Sequence, residues 1–397
     1  MTATPHEPEV PYAFSRADSS NLGRWWWTVD HWLLGATLAL IGLGVLLCFG
    51  TSPAAAARLD IPFPFHFAVR QCVYAAGGVV ILLAVSICDV RTIRRIGFFV
   101  YLAAILAMAG LSLVFGHSAK GATRWVEVAG FTLQPSEFMK PALIVLVAWM
   151  FAEGQKGEGV PGVSIAFGLY VTAVILLLVE PDVGQTVLIT IAFGAAFWIA
   201  GVPMSWVMAL GGVAVAGLAS TYFLFQHVAL RVQSFLSHDK TGDLQQVHRA
   251  DAAIAAGGLF GRGPGEGIMK RYVPDMHTDF AYSASAEEYG LWFSLILIAL
   301  FTFLTLRGLF KAMRLANPFE QIAAAGLFVL VGMQAFINIA VNLDLIPTKG
   351  MTLPFISYGG SSMLAMCLTM GMALALTRSN PGAYKPRERF PKVGAFG

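Results

Sequence analysis

Charged residues are scarce in this chain of 397 residues, since they make up only 12% of it. Soluble domains carry roughly 25%, so about half of the usual charge is missing. Hydrophobic residues reach 57% and the mean hydropathy is +0.68. This composition excludes an ordinary soluble domain and predicts a polytopic membrane protein. The formal net charge of +3 is small and scattered, and it does not indicate a nucleic-acid partner.

Cysteine is also scarce, and the four cysteines show no paired spacing. Cys48, Cys72, Cys88 and Cys367 all lie in apolar stretches. Such residues are typical small buried hydrophobes, so the sequence predicts neither a disulfide nor a metal site.

Long apolar runs are abundant, and a membrane-spanning helix needs roughly 20 mostly apolar residues. We therefore expect an all-α protein with about ten transmembrane helices between residues 31 and 377. The ten runs are 31–51, 67–88, 97–115, 137–153, 162–180, 184–201, 204–225, 287–307, 320–343 and 360–377. The first run could also belong to a signal peptide, but it is too long for one and the polar segment 1–30 before it is too extended.

Lysine and arginine in short loops predict the orientation, because they concentrate on the cytoplasmic side. One set of connections, with both chain ends, holds fourteen of them: Arg16, Arg24, Arg91, Arg94, Arg95, Lys156, Arg307, Lys311, Arg314, Arg378, Lys385, Arg387, Arg389 and Lys392. The opposite short connections hold six: Arg58, Arg70, Lys120, Arg124, Lys140 and Lys349. Both tails, 1–30 and 378–397, are therefore predicted to be cytoplasmic, and the long loop 226–286 lies outside.

Charges at the outer edge of the fourth span form the first candidate site. Ser136 is a plausible N-cap, which places Glu137 at the positive end of the helix and one turn from Lys140. The pair either stabilises the helix start or faces a cavity, since charges at the membrane edge rarely face lipid. Arg124 is either an interfacial snorkelling residue or an anion clamp.

Three further outer motifs admit structural explanations. Asp182, after Pro181, is expected to cap the helix that follows it. The run Gly257–Gly267 lacks the lysine and hydroxyl pair of a phosphate loop, so its glycines are expected to permit positive-φ turns or close backbone approach. In 347–362, which contains Lys349, two prolines and several glycines predict broken backbone buried in protein or lining a cavity.

The longest polar interval, residues 249–290, ends with four carboxylates in a short span, Asp275, Asp279, Glu287 and Glu288. Ionisable groups beside apolar spans are usually functional. From the residues alone, Asp279 could equally cap a loop turn, and Glu287 with Glu288 reads as the polar start of the eighth helix.

These motifs together resemble the SEDS family of shape, elongation, division and sporulation proteins. The matching stretches are GATRWVEVAGFTLQPSEFMK, EPDVGQTVL, GGLFGRGPGEG, PDMHTDF with AEEYG, and PTKGMTLPFISYGGSS. The resemblance spans residues 31–380 and favours the FtsW branch, which acts at the division septum, over the RodA branch. It implies an enzyme of the bacterial plasma (inner) membrane that polymerises lipid II into β-1,4 glycan strands and releases undecaprenyl pyrophosphate.

The resemblance also implies site residues and partners. Asp279 would be the essential aspartate of the outer loop, and Glu137 with Lys140 would lie in a central cavity. A class B penicillin-binding protein would supply the transpeptidase, alongside other division proteins.

The chemistry sets its own requirements. A sugar hydroxyl is a weak nucleophile at neutral pH, so a carboxylate base such as Asp279 would help it attack. The departing pyrophosphate needs positive charge, which Arg124, Lys140, Lys349 or a divalent cation such as Mg²⁺ or Mn²⁺ would supply; no cofactor is otherwise evident. An α-linked donor that gives a β product requires one inverting displacement. The alternatives are a flippase that transports the lipid-linked precursor and a division scaffold without catalysis.

Overall fold

A computed structural model describes residues 20–114, 125–128, 131–157, 159–224, 229–230, 233, 243–269, 272, 276–347 and 350–379. The described elements are almost entirely helical. In chain order they are α1 (Asn21–Thr28), α2 (His31–Arg58), α3 (His66–Ile87), α4 (Val90–Val114), β1 (Val126–Val128), β2 (Phe131–Leu133), α5 (Pro135–Gly154), α6 (Gly162–Val179), α7 (Val183–Ile199), α8 (Met204–Leu224), α9 (Asp243–Gly257), α10 (Ala281–Ala312), α11 (Pro318–Asn342) and α12 (Gly360–Leu376). The strands β1 and β2 pair antiparallel as a small hairpin before α5.

The helices occupy all ten of the predicted spans. Seven helices in the described part of the chain are long and apolar enough to cross a membrane, namely α2 to α6, α10 and α11. The helices α7 and α12 are shorter and apolar, and α8 lies at the seventh predicted span. The prediction of an all-α polytopic membrane protein is therefore confirmed.

Contacts between helix ends bring several connections together on one side of the bundle. Asp30, before α2, binds Arg307 near the end of α10, while the Arg378 guanidinium after α12 donates to the carbonyl of Cys88 after α3. The Ser379 N–H also donates to the Thr28 carbonyl at 2.9 Å. The segment before the first span and the segment after the last span therefore lie on the same side of the bundle, as an even number of membrane crossings requires. These contacts join residues of the arginine- and lysine-rich set.

The centre of the bundle is formed by α5 and α11. In their most apolar windows 83% and 72% of residues are buried, against 28% for α4, α6 and α10. Gly326 of α11 lies directly against the Ile144 side chain of α5, so these two helices approach closely. Glu137 and Lys140 of α5 are accordingly buried, 4% and 0% exposed, and face protein and not lipid.

Two predicted helix starts are wrong. α5 begins at Pro135 with Gln134 as its cap residue, so Ser136 is inside the first turn and is not the N-cap. Proline is favoured at the first helical position, which explains the shift. α10 begins at Ala281 and not at residue 287, and it contains a break at Gly290, where φ is 80° and ψ is −174°. Glu287 and Glu288 are therefore buried inside this element, 0% and 1% exposed.

The segment 350–359 is non-helical and buried, as predicted. Leu353 and Phe355 are 0% and 1% exposed, although neither lies in a helix. Phe355 has a positive φ of 65°, and its carbonyl lies against Gly44 of α2, where a β-carbon would collide with it. Ser357 accepts the Leu353 N–H through its hydroxyl. Protein groups thus provide the hydrogen bonds that this backbone would lack if it faced lipid.

Candidate functional site

A buried cation at the centre of the bundle forms the first part of the site. The Lys140 ammonium is 0% exposed and donates to Oε2 of Glu137 at 2.9 Å, to Oε1 of Gln185 at 2.8 Å and to Oε1 of Gln334 at 2.8 Å. Gln185 in turn donates to Oε1 of Glu137 at 2.7 Å. All three ammonium hydrogens therefore have acceptors, and the carboxylate is neutralised within hydrogen-bond distance, as a charge pair removed from water requires.

The polar cluster joins three helices whose ends are set by local sequence. Asp182 is the N-cap of α7 and accepts the Gln185 N–H at 3.1 Å, so the predicted capping role is confirmed. Because that cap fixes the first turn of α7, it also orients Gln185 toward α5. The Glu137–Lys140 pair does more than stabilise the start of its own helix, since it links α5 to α7 and to α11.

Asp279 lies in the turn 276–280 immediately before α10, and it is partly exposed. Its backbone carbonyl accepts two hydrogen bonds from side-chain amides of α11, from Asn338 at 2.9 Å and from Asn342 at 3.0 Å. Asn342 also accepts the N–H and the hydroxyl of Ser283 through its own oxygen. The main chain of Asp279 is therefore held by α11.

The Asn338 amide also holds the broken segment between α11 and α12. Asn338 donates to the carbonyl of Met351 at 2.6 Å, and Oδ2 of Asp279 lies 3.6 Å from the point where a β-carbon on Gly350 would be. One side chain, 2% exposed, thus ties the turn of Asp279 to the broken segment between α11 and α12. The candidate carboxylate faces the backbone of that segment.

A polar stripe on α11 connects this turn to the buried lysine. Gln334, Asn338 and Asn342 are spaced four residues apart and share one helix face. Gln334 binds Lys140, and its amide donates to the carbonyl of Thr352 at 3.2 Å. None of these three residues is among the predicted site residues, although uncharged polar groups at this spacing in an apolar helix are the signal that would have found them.

The turn of Asp279 is also fixed from the side of α3. The carbonyl of His277 accepts the Tyr358 N–H at 2.8 Å, and the His277 ring lies 4.9 Å from the ring of Phe67. Tyr358 contacts Phe67 in an edge-to-face arrangement at 5.1 Å. Aromatic packing therefore supports the segment that carries the candidate carboxylate.

The glycine run Gly257–Gly267 packs against the break in α10. Four of its glycines have positive φ, which confirms the predicted turns; they are Gly258, Gly261, Gly263 and Gly265. The N–H of Gly263 donates to the Glu288 carbonyl at 3.0 Å, and the Leu291 N–H donates to the Gly258 carbonyl at 3.0 Å. The carboxylate of Glu287 accepts the N–H groups of Ile268 and Met269 at 2.6 and 2.8 Å. The glycine run is therefore held against α10 by backbone hydrogen bonds on both sides of the break at Gly290.

Two predicted substrate-binding residues, Arg124 and Lys349, lie outside the described residues. Their predicted roles stay predictions. Among the described residues, no three histidine, cysteine, aspartate or glutamate side chains come together as a metal site.

The chain is similar to known proteins over almost its whole length. The model of the FtsW/RodA/SpoVE cell cycle protein family matches residues 31–381. The chain is 70% identical to a probable peptidoglycan glycosyltransferase FtsW of Caulobacter vibrioides, covering 94% of this chain and 95% of the relative. It is 34% identical to the protein of that name from Geobacter sulfurreducens, over 89% of this chain and 96% of that one.

Solved structures agree with the fold. A chain from a peptidoglycan synthase complex, described as coordinating polymerization and crosslinking, matches with a TM-score of 0.72 and 25% identity, covering 88% of this chain and 97% of that chain. The rod shape determining protein RodA of Thermus thermophilus matches with a TM-score of 0.65 and 26% identity, covering 89% and 97%. The resemblance to the SEDS proteins is confirmed, and the chain belongs to the FtsW/RodA/SpoVE family of cell cycle proteins, in its FtsW branch.

Proposed function

We propose that this protein is a peptidoglycan glycosyltransferase that polymerises lipid II, with Asp279 as the general base. The observation that carries the proposal is the fixation of Asp279 through its backbone by Asn338 and Asn342. A general base must be held within reach of the proton that it removes, and these two bonds hold the turn that carries Asp279. The names carried by its relatives support the same enzyme class.

The reaction follows from the chemistry of lipid II. Asp279 takes the proton from the acceptor sugar hydroxyl as its oxygen forms a bond to the anomeric carbon of the donor. The bond from that carbon to the pyrophosphate oxygen breaks on the opposite face, which inverts the configuration from α to β. The pyrophosphate leaves with the bonding electron pair, so a cationic environment stabilises the transition state.

Arg124 and Lys349 are the proposed partners of the pyrophosphate. Lys349 precedes Gly350, whose backbone lies beside the Asp279 carboxylate. Lys140 is fully buried and has three acceptors, so we assign it to holding α5, α7 and α11 together, with no direct contact to the leaving group. A divalent cation, Mg²⁺ or Mn²⁺, would add to this charge, and comparing polymerisation in EDTA with either ion tests that proposal.

The proposed setting is the division septum in the bacterial inner membrane, with a class B penicillin-binding protein as the transpeptidase partner. A multi-pass helical protein with a relative of known structure in a synthase complex supports such an assembly. Other division proteins would contact the same complex.

The decisive experiment reconstitutes the full chain with its transpeptidase partner and follows glycan strands made from fluorescent lipid II. Asp279→Asn should lower polymerisation by about 10²- to 10⁴-fold, the usual contribution of a positioned base. The protein should stay folded, because the two bonds from α11 to the backbone carbonyl of residue 279 are kept in this variant. Asp251→Asn makes the same change at an exposed residue of α9 and should leave the rate unchanged.

Full polymerisation by the Asp279→Asn protein would show that the base is another group. The two alternatives have their own outcomes. A wild-type protein that moves lipid II between leaflets of proteoliposomes without polymerising it is a transporter. One that does neither, yet still binds the partner, is a scaffold.

A further inference from the structure

A groove along the exposed face of α10 has features that the proposed reaction does not use. It has a volume of about 810 Å³ and is open along one side. Apolar side chains of α10 form most of its length, among them Leu295, Ala299, Leu306 and Phe310. Leu295, Leu306 and Phe310 are 44%, 48% and 66% exposed, so no other described element covers them.

One end of the groove is strongly charged. Arg307, Lys311 and Arg314 line it together with a single carboxylate, Asp30. Asp30 binds Arg307 through both oxygens, at 3.1 and 2.9 Å, and Lys311 at 3.1 Å. Three cations against one anion leave a net charge of +2 at this end. Arg314 is exposed and extends the basic surface beyond the ion pairs.

The charged end lies at the level of a membrane interface. Trp26, Trp27 and Trp32 flank Asp30 in the chain and are 39%, 46% and 69% exposed. Tryptophan side chains prefer the boundary between hydrocarbon and headgroups. From Arg307 to Leu295 the helix rises about 18 Å, at roughly 1.5 Å per residue, which is close to half of an approximately 30 Å hydrocarbon core. The groove therefore spans one leaflet.

We propose that this groove binds one anionic phospholipid of the leaflet that contains both chain ends. Its phosphate would lie between Lys311 and Arg314, and its acyl chains would lie along the apolar part of α10. The side is the arginine- and lysine-rich one, where anionic lipids attract basic residues. Asp30 neutralises about one cation and holds Arg307 in place, so the remaining positive charge selects an anionic headgroup over a zwitterionic one. This site is independent of the glycosyltransferase proposal.

The test is native mass spectrometry of the full chain with equal amounts of phosphatidylglycerol and phosphatidylethanolamine of identical acyl chains. We expect retained phosphatidylglycerol to exceed phosphatidylethanolamine. Arg314→Gln should reduce this preference about fivefold, the effect of one basic residue at an anionic surface. Arg95→Gln removes an exposed arginine of α4 away from the groove and should have no effect.

A second variant tests the apolar part. Ala299→Trp places a large side chain in the middle of the groove and should reduce retention of both lipids, whereas Ile296→Trp, on an exposed part of α10 outside the groove, should not. Because Arg314 is exposed, its variant is informative even if Ala299→Trp prevents folding. Equal retention of the two lipids by the wild type, or an Arg314→Gln effect no larger than that of Arg95→Gln, would overturn the proposal. Crosslinking of a partner's transmembrane helix to the groove at Ala299 would also overturn the proposal.

Discussion

The hydrogen bonds donated by Asn338 lead to a quantitative prediction of the stability and activity that are lost when they are removed. Asn338→Asp keeps the size of the side chain but replaces a donor with an acceptor. The Asn338 amide nitrogen donates to the carbonyls of Asp279 and Met351, at 2.9 and 2.6 Å. Each hydrogen bond contributes about 1 kcal/mol, and a buried group facing an unmatched acceptor costs about 1–3 kcal/mol more. The two lost bonds and the unmatched acceptor together should lower the free energy of unfolding by about 3–5 kcal/mol.

The effect on activity should be larger than a loss of folded protein explains. A shift of about 1 Å in a reacting group costs about 100-fold in rate. We therefore expect kcat for lipid II polymerisation to fall about 100-fold, with KM changed little, in protein shown to be folded. Asn342 still holds the Asp279 carbonyl in this variant, so the turn should move and not unfold.

A matched control lies at the other end of the same helix. Asn317 is the N-cap of α11 and accepts the Phe319 N–H at 3.0 Å, which aspartate also does, while its exposed amide donates to Glu320 at 3.1 Å. Asn317→Asp should therefore cost no more than about 1 kcal/mol of stability, for the one exposed bond that it loses, and leave the rate unchanged. If Asn338→Asp polymerises lipid II within about threefold of this control, the amide does not position the base and the reasoning is refuted.

Two further predictions concern buried charges. Lys140→Met should destabilise the protein by about 3–5 kcal/mol because it leaves the Glu137 carboxylate buried without its cation. Adding Glu137→Gln should recover part of this loss when the unfolding of the protein is measured in detergent. Strictly additive losses in the two single variants and the double variant would contradict the pairing. Burial raises the pKa of Asp30, but hydrogen bonds and charge from Arg307 and Lys311 outweigh it and lower that pKa to about 2. The stability it contributes should be complete above about pH 4 and disappear as the pH falls to about 2. Unfolding midpoints of wild type and Asp30→Asn should therefore differ at pH 7 and converge at low pH; a constant difference would argue against the ion pair.

The apolar pattern was sufficient to predict the helices, and tertiary contacts explain where it failed. Glu287 and Glu288 were interpreted as a helix boundary because carboxylates usually end an apolar run. In the structure, N–H groups of Ile268 and Met269 satisfy Glu287. The small residues after Ala281 then extend the helix inward. No local pattern could reveal donors that come from a loop about twenty residues away in the chain.

The charged residues of the candidate site stand out in the sequence, whereas its neutral partners show there only as a polar spacing along α11. Glu137 and Lys140 were identified because charge in an apolar helix is conspicuous. Gln334 and Asn338 carry no charge, and their importance depends on what they contact across the bundle. Asp279 was selected through family resemblance, since an aspartate in a loop is also a common turn residue.

The hydrogen bond between Ser379 and Thr28 has a consequence for how the chain can be connected. Because the two ends of the bundle touch, a short linker could join them at little entropic cost. New ends could be opened in the exposed connection between α5 and α6, on the same side of the membrane. Such a circular permutant would insert its helices in a different order while keeping every contact of the folded bundle. It would separate the order of membrane insertion from the final packing, which ordinary substitutions cannot do.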